Sequence, residues 1–443
     1  MLKKSVINNL RNIVGEGNTI LESDSLKAHS LDDVMPKAVV FPSSVEEVSE
    51  IMKLATKHSL SVIPTGGGTK SFLGNKPPSA DIILSTKNLN QVLEHASSDL
   101  VATTQSGISI EDLQSELGKE NQFLAIDPPH IQHGASLGGI IASNDSGPLR
   151  FRYGTFRELL IGLKVVQADG SIFKGGAKVV KNVAGYDLPK LFVGSLGTLG
   201  IIVEATFRLY AVPEYSQTYL ANFSSIDDCH NALMMLTSSD LAITSLELIN
   251  PTLALALSEN NSIKYKADNY LLAVRIRNVE QAVKDQISKA KQICSNNNGS
   301  GTVLSDEVEL GFWDDVINFP WALSNTQRTV SKASVLVSDI PKLLMSLDAL
   351  SSKNGITPYV SVRAGSGICI ISFSAEDSNT IASINSLRSF AAALGGHLVV
   401  QEAPISVKSE IDVWGDLGSG RSIMKKIKSN FDPDNILNPG RYI

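Results

Sequence analysis

The apolar positions of this chain change period several times. AVVFP, from Ala38, reads as a short strand, and SSVEEVSEIMKLATKHS carries apolar residues at helical spacing behind an acidic first turn, with Ser44 as N-cap. SLSVIP returns as a strand. DIILST and LVATTQSG are two more strands, and ISIEDLQSELGKEN is a helix with an acidic start. LLIGLKVVQADGSIFKGG predicts a hairpin turning at Asp169-Gly170. From about Ser216 two successive strand–helix–strand sets follow. The first runs through TYLANF, IDDCHNALMMLTS, ITSLELIN, YLLAVRIRN and VEQAVKDQISKAKQICSN. The second runs through ASVLVSD, IPKLLMSLDALSSKNG, ITPYVSVRAG, GICIISFS and TIASINSLRSFAAALGG, with NNNGSGTVLSD as a polar loop between the sets. Short strands in this order predict an α+β fold rather than one long parallel sheet. The second region reads as a ferredoxin-like antiparallel sheet with helices on one face.

Two stretches interrupt this grammar. VIPTGGGTKSFLG, Val62 to Gly74, places three consecutive glycines after a strand. Glycine reaches backbone angles closed to other residues and bares N–H groups, so such a turn can gather amides around an anion. The spacing fits neither GxxxxGK[ST] nor GxGxxG, which removes the P-loop and Rossmann readings. A plain surface turn is the alternative. The second stretch, IDPPHIQHGASLGGIIASNDSGPLRFRYG, holds five glycines and three prolines yet stays apolar, which is unusual for an idle loop.

Composition narrows the classes. A chain of 443 residues with net charge −6 and scattered Lys and Arg has no basic patch for nucleic acid. Its three cysteines, Cys229, Cys294 and Cys369, lie far apart without a CxxC, so neither a disulfide framework nor an iron–sulfur or zinc site is expected. No apolar run is long enough for a transmembrane segment. A cytoplasmic protein is expected, with peripheral membrane association through partners left open.

Four segments carry a family resemblance. They are AVVFPSSVEEVSEIMKLATKHSLSVIPTGGGTKSFLG, DPPHIQHGASLGGIIASNDSGPLRFRYGT, KVVKNVAGYDLPKLFVGSLGTLGIIVEATFRL and FDPDNILNPGRYI. In this order and spacing the chain resembles the vanillyl-alcohol-oxidase superfamily of PCMH-type FAD enzymes, and within it the FAD-binding subunit of glycolate oxidase, the GlcE type. The resemblance implies a PCMH-type FAD-binding domain of two α+β subdomains followed by a ferredoxin-like antiparallel α+β cap. The expected boundaries are an N-terminal helical segment at 1–33, the FAD domain at 34–213, the cap or substrate domain at 214–410, and a segment returning to the FAD domain at 411–443.

It further implies that FAD's pyrophosphate lies against Gly66, Gly67, Gly68 and Thr69, with Pro64 and Thr65 leading into the loop and Gly74 closing it. Pro128, Ser136, Gly138, Gly139, Ser143, Asn144 and Gly147, then Tyr153 and Gly154, match the ligand-lining run beside the flavin and phosphates. Gly200, Ile201 and Ile202 fall beside the adenine, and Arg441 resembles the tail arginine of the flavin region. Asn182, Tyr186 and Asp187 read either as a polar structural knot or as neighbours of the flavin. Thr69 stands where covalently flavinylated members carry a histidine, and the first region holds no cysteine, so FAD is expected to be non-covalent.

Removing hydride from a small 2-hydroxy acid needs a base for the hydroxyl and a cation for the carboxylate. The catalytic sister subunit supplies these from a His-x-Gly-Asp-Gly-Asn strand and a Glu-His-Gly turn. Here the aligned strands read RAGSGICI, with Arg363 in the histidine position, and VVQEAP. Leu196 replaces an acidic residue usual in that sister, and His397 reads as a packing residue. The catalytic candidates that remain are His130 and His133 as bases and Arg363 as a carboxylate fork, each with an ordinary structural reading beside it. The expectation is an FAD-binding subunit of a heteromeric glycolate oxidase, partnered by a catalytic flavin subunit and an iron–sulfur subunit. A self-sufficient FAD-dependent D-2-hydroxy acid dehydrogenase and a non-catalytic assembly subunit are the alternatives.

Overall fold

The structure is a computed structural model that describes residues 2–176, 187–260, 268–322 and 328–443. Asn182 and Tyr186 lie outside the described residues. The chain divides into two compact units, one of Met1–Ser146, Thr155–Val212 and Asp416–Ile443, the other of Gly147–Gly154 and Pro213–Gly415.

The first unit contains a four-stranded sheet in the spatial order Thr19–Ile20, Ala38–Val40, Ile82–Ser85, Val62–Thr65, its last three strands parallel. The helix Val45–Lys57 connects two of them. Ser44 caps it, accepting from the Glu47 N–H at 3.1 Å, while the Glu47 carboxylate accepts from the Ser43 N–H at 2.7 Å. Val48, Ile51, Met52 and Ala55, on the inner face of this helix, share a core with Val6 and Leu10 of the helix Lys4–Val14 and with Val40, Val62 and Ile82 of the sheet. A second, antiparallel sheet runs Val92–Ala96, Val101–Gln105, Ile201–Arg208, Leu160–Val166, Ile172–Gly176. Its last hairpin turns at Asp169-Gly170, where Gly170 takes φ +82°.

The tail completes this unit. The Val62 N–H donates to the Ile436 carbonyl at 2.8 Å, and the Asn438 N–H to the Val62 carbonyl at 2.9 Å, so residues 436–438 extend the parallel sheet beyond Val62. A buried lysine ties the tail down. Lys428, on the helix Gly420–Phe431, donates to the Thr198 carbonyl at 2.9 Å, the Leu437 carbonyl at 2.8 Å and the Asp432 carboxylate. Asp432 in turn accepts from the N–H groups of Ile436 and Leu437 at 2.9 and 2.7 Å.

The second unit is built on eight strands: β1 (Tyr215–Phe223), β2 (Ile243–Ile249), β3 (Tyr270–Asn278), β4 (Ser300–Leu304), β5 (Thr329–Ser334), β6 (Tyr359–Arg363), β7 (Ile368–Phe373) and β8 (His397–Glu402). They form one sheet in the order β4-β1-β3-β2-β6-β7-β5-β8, antiparallel throughout. Each half is a ferredoxin-like four-strand set. The halves join where β2 meets β6, Leu248 opposite Val362. The helices Ile226–Thr237, Glu280–Asn296, Ile340–Asn354 and Asp377–Ala393 cover one face over a single apolar core.

Three details differ from the sequence reading. The opposite face also carries helical cover, since Phe312 and Trp313 of the helix Asp306–Asn318 and Leu253 of the helix Pro251–Asn260 pack on Leu220, Leu271 and Ile370. Ser300–Leu304, read as loop, is the edge strand β4; with one neighbour and Ser300–Val303 exposed, it shows no alternation of burial to betray it. The strand expected at ASVLVSD starts earlier, as β5, and Val337–Asp339 is a single turn. Among the described residues no helix is long and apolar enough to cross a membrane.

Asp432→Ala would leave Lys428 buried without its counter-charge and two tail N–H groups unpaired. It should cost about 3–5 kcal/mol of stability, read as a lowered urea midpoint at unchanged slope; an unchanged midpoint would remove the tail's assigned role.

Candidate functional site

The three glycines answer to two separate demands. A Cβ on Gly66 would stand 1.8 Å from Ser136 Oγ, and one on Gly67 would stand 1.8 Å from the Gly134 carbonyl oxygen. Both therefore exist because residues 134–139 lie directly on this backbone. A Cβ on Gly68 would make only an ordinary contact, 3.7 Å from Ser71 Oγ, but the residue takes φ +76°, a left-handed angle that disfavours a side chain. Ser136 knits the two loops together: its Oγ accepts from the Gly67 N–H at 3.2 Å and, as N-cap of the helix Leu137–Ser143, from the Gly139 N–H at 3.3 Å. The Gly67 amide, expected to face a ligand, is engaged by the protein. Gly138 is held the same way, donating to the Ser106 carbonyl at 2.7 Å. At Gly74 the angle is φ +99° and a Cβ would meet the Arg441 carbonyl oxygen at 2.7 Å.

Between these loops and the tail lies a cleft, open to solvent on one side and wholly within the first unit. Of the residues singled out from the sequence, Pro64, Thr65, Gly66, Gly67, Gly68, Thr69, Ser136, Gly138, Gly139, Ser143, Gly200, Ile201, Ile202 and Arg441 line it. Gly74 and Asn144 adjoin the lining without entering it. Pro128 lies beside it while its neighbour Pro129 lines it, and Gly147, Tyr153 and Gly154 fall in the second unit. One wall is bare main chain; Leu31, Ile63, Ile140, Ile201 and Ile202 add aliphatic surface. Sequence reasoning missed Lys70, Asp145 and Asn438. Lys70 directly follows the glycine run and Asp145 the ASN turn, so adjacency was the available signal.

The charged side chains of the lining are Lys70, Asp145 and Arg441. Lys70 and Asp145 form an ion pair, each side chain 14% exposed. Arg441 is spent inside the protein: one guanidinium nitrogen lies 3.5 Å from Asp32, and another donates to the Ser71 carbonyl at 2.7 Å and to the Leu73 carbonyl. Burial, opposed by Asp32, draws its pKa below the usual arginine value. A cleft with a bare-backbone floor, aliphatic walls and balanced charges suits a long flat ligand with an anionic middle.

The proposed catalytic groups are dispersed. His130 is buried at φ +67°, its ring edge-on to Phe72 and to His133 with centroids 6.4 and 6.0 Å apart, and His133 is exposed. Neither lines the cleft. Arg363 lies in the second unit, on β6, and donates to the Glu247 carboxylate at 2.8 Å; Ser361 donates to the same oxygen at 2.9 Å. Glu247 is 1% exposed and its other carboxylate oxygen has no hydrogen bond. Burial pushes its carboxyl above the ordinary range, against the pull of Arg363 and Ser361.

Comparison with known proteins divides the chain between two families, the second of which takes in the tail of the first unit. Residues 36–176 match the FAD binding domain family, and residues 212–399 and 418–442 match the family of C-terminal domains of FAD linked oxidases. A probable mitochondrial D-lactate dehydrogenase of Danio rerio is 28% identical over 460 residues, covering 99% of this chain and 91% of that protein. Glycolate oxidase subunit GlcD of Bacillus subtilis (strain 168) is 28% identical over 418 residues, covering 92% and 89%. Among solved structures, p-cresol methylhydroxylase with substrate bound superposes with a TM-score of 0.79 at 17% identity over 99% of this chain and 97% of that one. 4-Ethylphenol oxidase from Gulosibacter chungangensis gives 0.79 at 16% identity over 99% and 96%. At such identities the likeness to these two is one of fold.

Arg363→Met would strand a buried carboxylate, costing about 3–5 kcal/mol at neutral pH. With Glu247's pKa then raised further, the stability its protonated form contributes is present below the unfolded value and lost as pH rises. The variant should therefore recover toward the parent near about pH 5 and diverge from it near about pH 8. Denaturant midpoints at both pH values check this, and a pH-independent difference would exclude Glu247 as its origin.

Proposed function

The chain belongs to the PCMH-type family of FAD-linked oxidoreductases, and from that premise we propose that it is the FAD-binding subunit of a heteromeric glycolate oxidase, oxidising a small 2-hydroxy acid together with partner subunits. FAD lies non-covalently in the cleft of the first unit, its diphosphate near Gly66, Gly67, Gly68 and Thr69 and its adenine beside Gly200, Ile201 and Ile202. When bound, FAD supplies the acceptor for the two electrons released as the hydroxy acid becomes a keto acid. The protein's part is to hold that acceptor on rigid main chain and to exclude water with the aliphatic walls.

The observation that carries the assignment to a subunit of this kind is the closed Glu247–Arg363–Ser361 cluster. Arg363, standing where the catalytic sister resembled above has a metal-binding histidine, is neutralised by its own neighbour instead of awaiting a carboxylate. A base and a substrate cation are then the business of a catalytic flavin subunit, and an iron–sulfur subunit takes the electrons onward. The complex works in the cytoplasm. The D-lactate dehydrogenase similarity over 99% of the chain favours a second reading, a self-sufficient D-2-hydroxy acid dehydrogenase in which His130 or His133 acts as base.

The purified chain should be yellow, with flavin released by denaturation. Glycolate or D-lactate should bleach it only when the partner subunits are added; bleaching of the isolated chain would support the second reading, and a colourless chain that takes up no FAD would sink both. Gly67→Arg, whose Cβ already collides with the Gly134 carbonyl, should lose bound FAD, and retention of stoichiometric flavin would refute the placement of the diphosphate.

A further inference from the structure

Resting on the FAD cleft proposed above, we infer that Lys70 is the cation that meets the cofactor's diphosphate, with Asp145 as the counter-ion that holds it in place. The reasoning is one of charge. A dinucleotide's diphosphate is a dianion, and sinking it into a cleft without a cation carries a large desolvation cost. Backbone amides offset part of it, but the Gly67 N–H already serves Ser136 and the Gly138 N–H serves Ser106. Of the two cations in the lining, Arg441 is committed to Asp32 and to two carbonyls of the 71–73 turn, and its guanidinium is held by what it braces.

Lys70 is placed differently. It sits two residues beyond Gly68, on the loop against which a diphosphate would lie, and it lines the cleft itself. Its stem is largely covered, so the ammonium is confined near the cleft rather than free to sweep through solvent. Its partner Asp145 follows the helix Leu137–Ser143 on the opposing loop and is fixed by its own turn, accepting from the Ser146 N–H at 3.1 Å.

An unshielded carboxylate beside a dianion would repel it. Lys70 between the two converts that repulsion into a chain of alternating charge, Asp145 to Lys70 to phosphate. Asp145 is then a positioning residue, because it fixes where the ammonium stands before the cofactor arrives.

The test is FAD affinity of the deflavinated chain, measured by quenching of flavin fluorescence across a salt series, for the parent, K70M, K70R and D145N. K70M should raise the FAD Kd by roughly tenfold or more, the loss of one charge-assisted hydrogen bond, and should flatten its dependence on salt. K70R should restore most of both. D145N, which releases the ammonium from its anchor, should raise the Kd by less than K70M does, and a Kd at or below the parent's would remove the positioning role of Asp145. Thermal melts of the cofactor-free variants within a few degrees of the parent separate binding from folding. K70M with parental Kd and salt slope would overturn the assignment, as would a riboflavin affinity reduced as much as that for FAD, since riboflavin has no diphosphate. A parent chain that takes up no FAD would instead bring down the cleft reading itself.

Discussion

The close approach of the 134–139 loop to the main chain at Gly66 and Gly67 is the contact from which the rest of the first unit's site follows. With Cβ positions only 1.8 Å from Ser136 Oγ and the Gly134 carbonyl, no other residue fits without moving one of two loops. The glycine run is thus first a packing requirement and only then an invitation to a ligand. Because the loops touch through the Gly134 carbonyl and the short Ser136 side chain, which is itself hydrogen-bonded to the Gly67 and Gly139 amides, the floor of the cleft is set by close packing and hydrogen bonds. Such a floor is rigid in the way a cofactor site needs.

In the second unit the corresponding constraint is electrostatic. The two four-strand halves are joined by only three residue pairs of β2 and β6, one of them Glu247 opposite Arg363. A slip of one residue would turn Glu247 toward the apolar core. A buried pair of this sort adds little net stability over an apolar isostere; at this seam it helps fix the register, together with Asn250, which is hydrogen-bonded to Pro358 and Val360 just beyond it. The same seam explains why Arg363 is not an idle cation: its partner is built into the neighbouring half.

The legibility of the molecule in its sequence varied with how far each signal was local. Ser44 as a cap, the Asp169-Gly170 hairpin and the two strand–helix–strand sets were readable because capping, turn chemistry and burial period act over a few residues. β4 was hidden because an exposed edge strand of Ser, Gly and Thr looks like a loop, and β5 because Ser331 and Lys332 break the alternation among strand neighbours. The glycine run pointed to a cleft, but what pressed on Gly67 lay 67 residues further along, at Gly134. The engagement of Arg363 by Glu247 and of Arg441 by Asp32 depends on pairing across more than a hundred residues, which spacing alone does not encode.

The tail of the chain carries a last consequence. Val62, near the beginning, finds its edge partners at Ile436 and Asn438, and Lys428 reaches the Thr198 and Leu437 carbonyls and Asp432. During synthesis those partners leave the ribosome only after the whole eight-strand unit has emerged. The intervening unit can fold while translation continues, whereas the edge of the first unit's parallel sheet and the cleft beside it stay unfinished until residues 428–438 arrive.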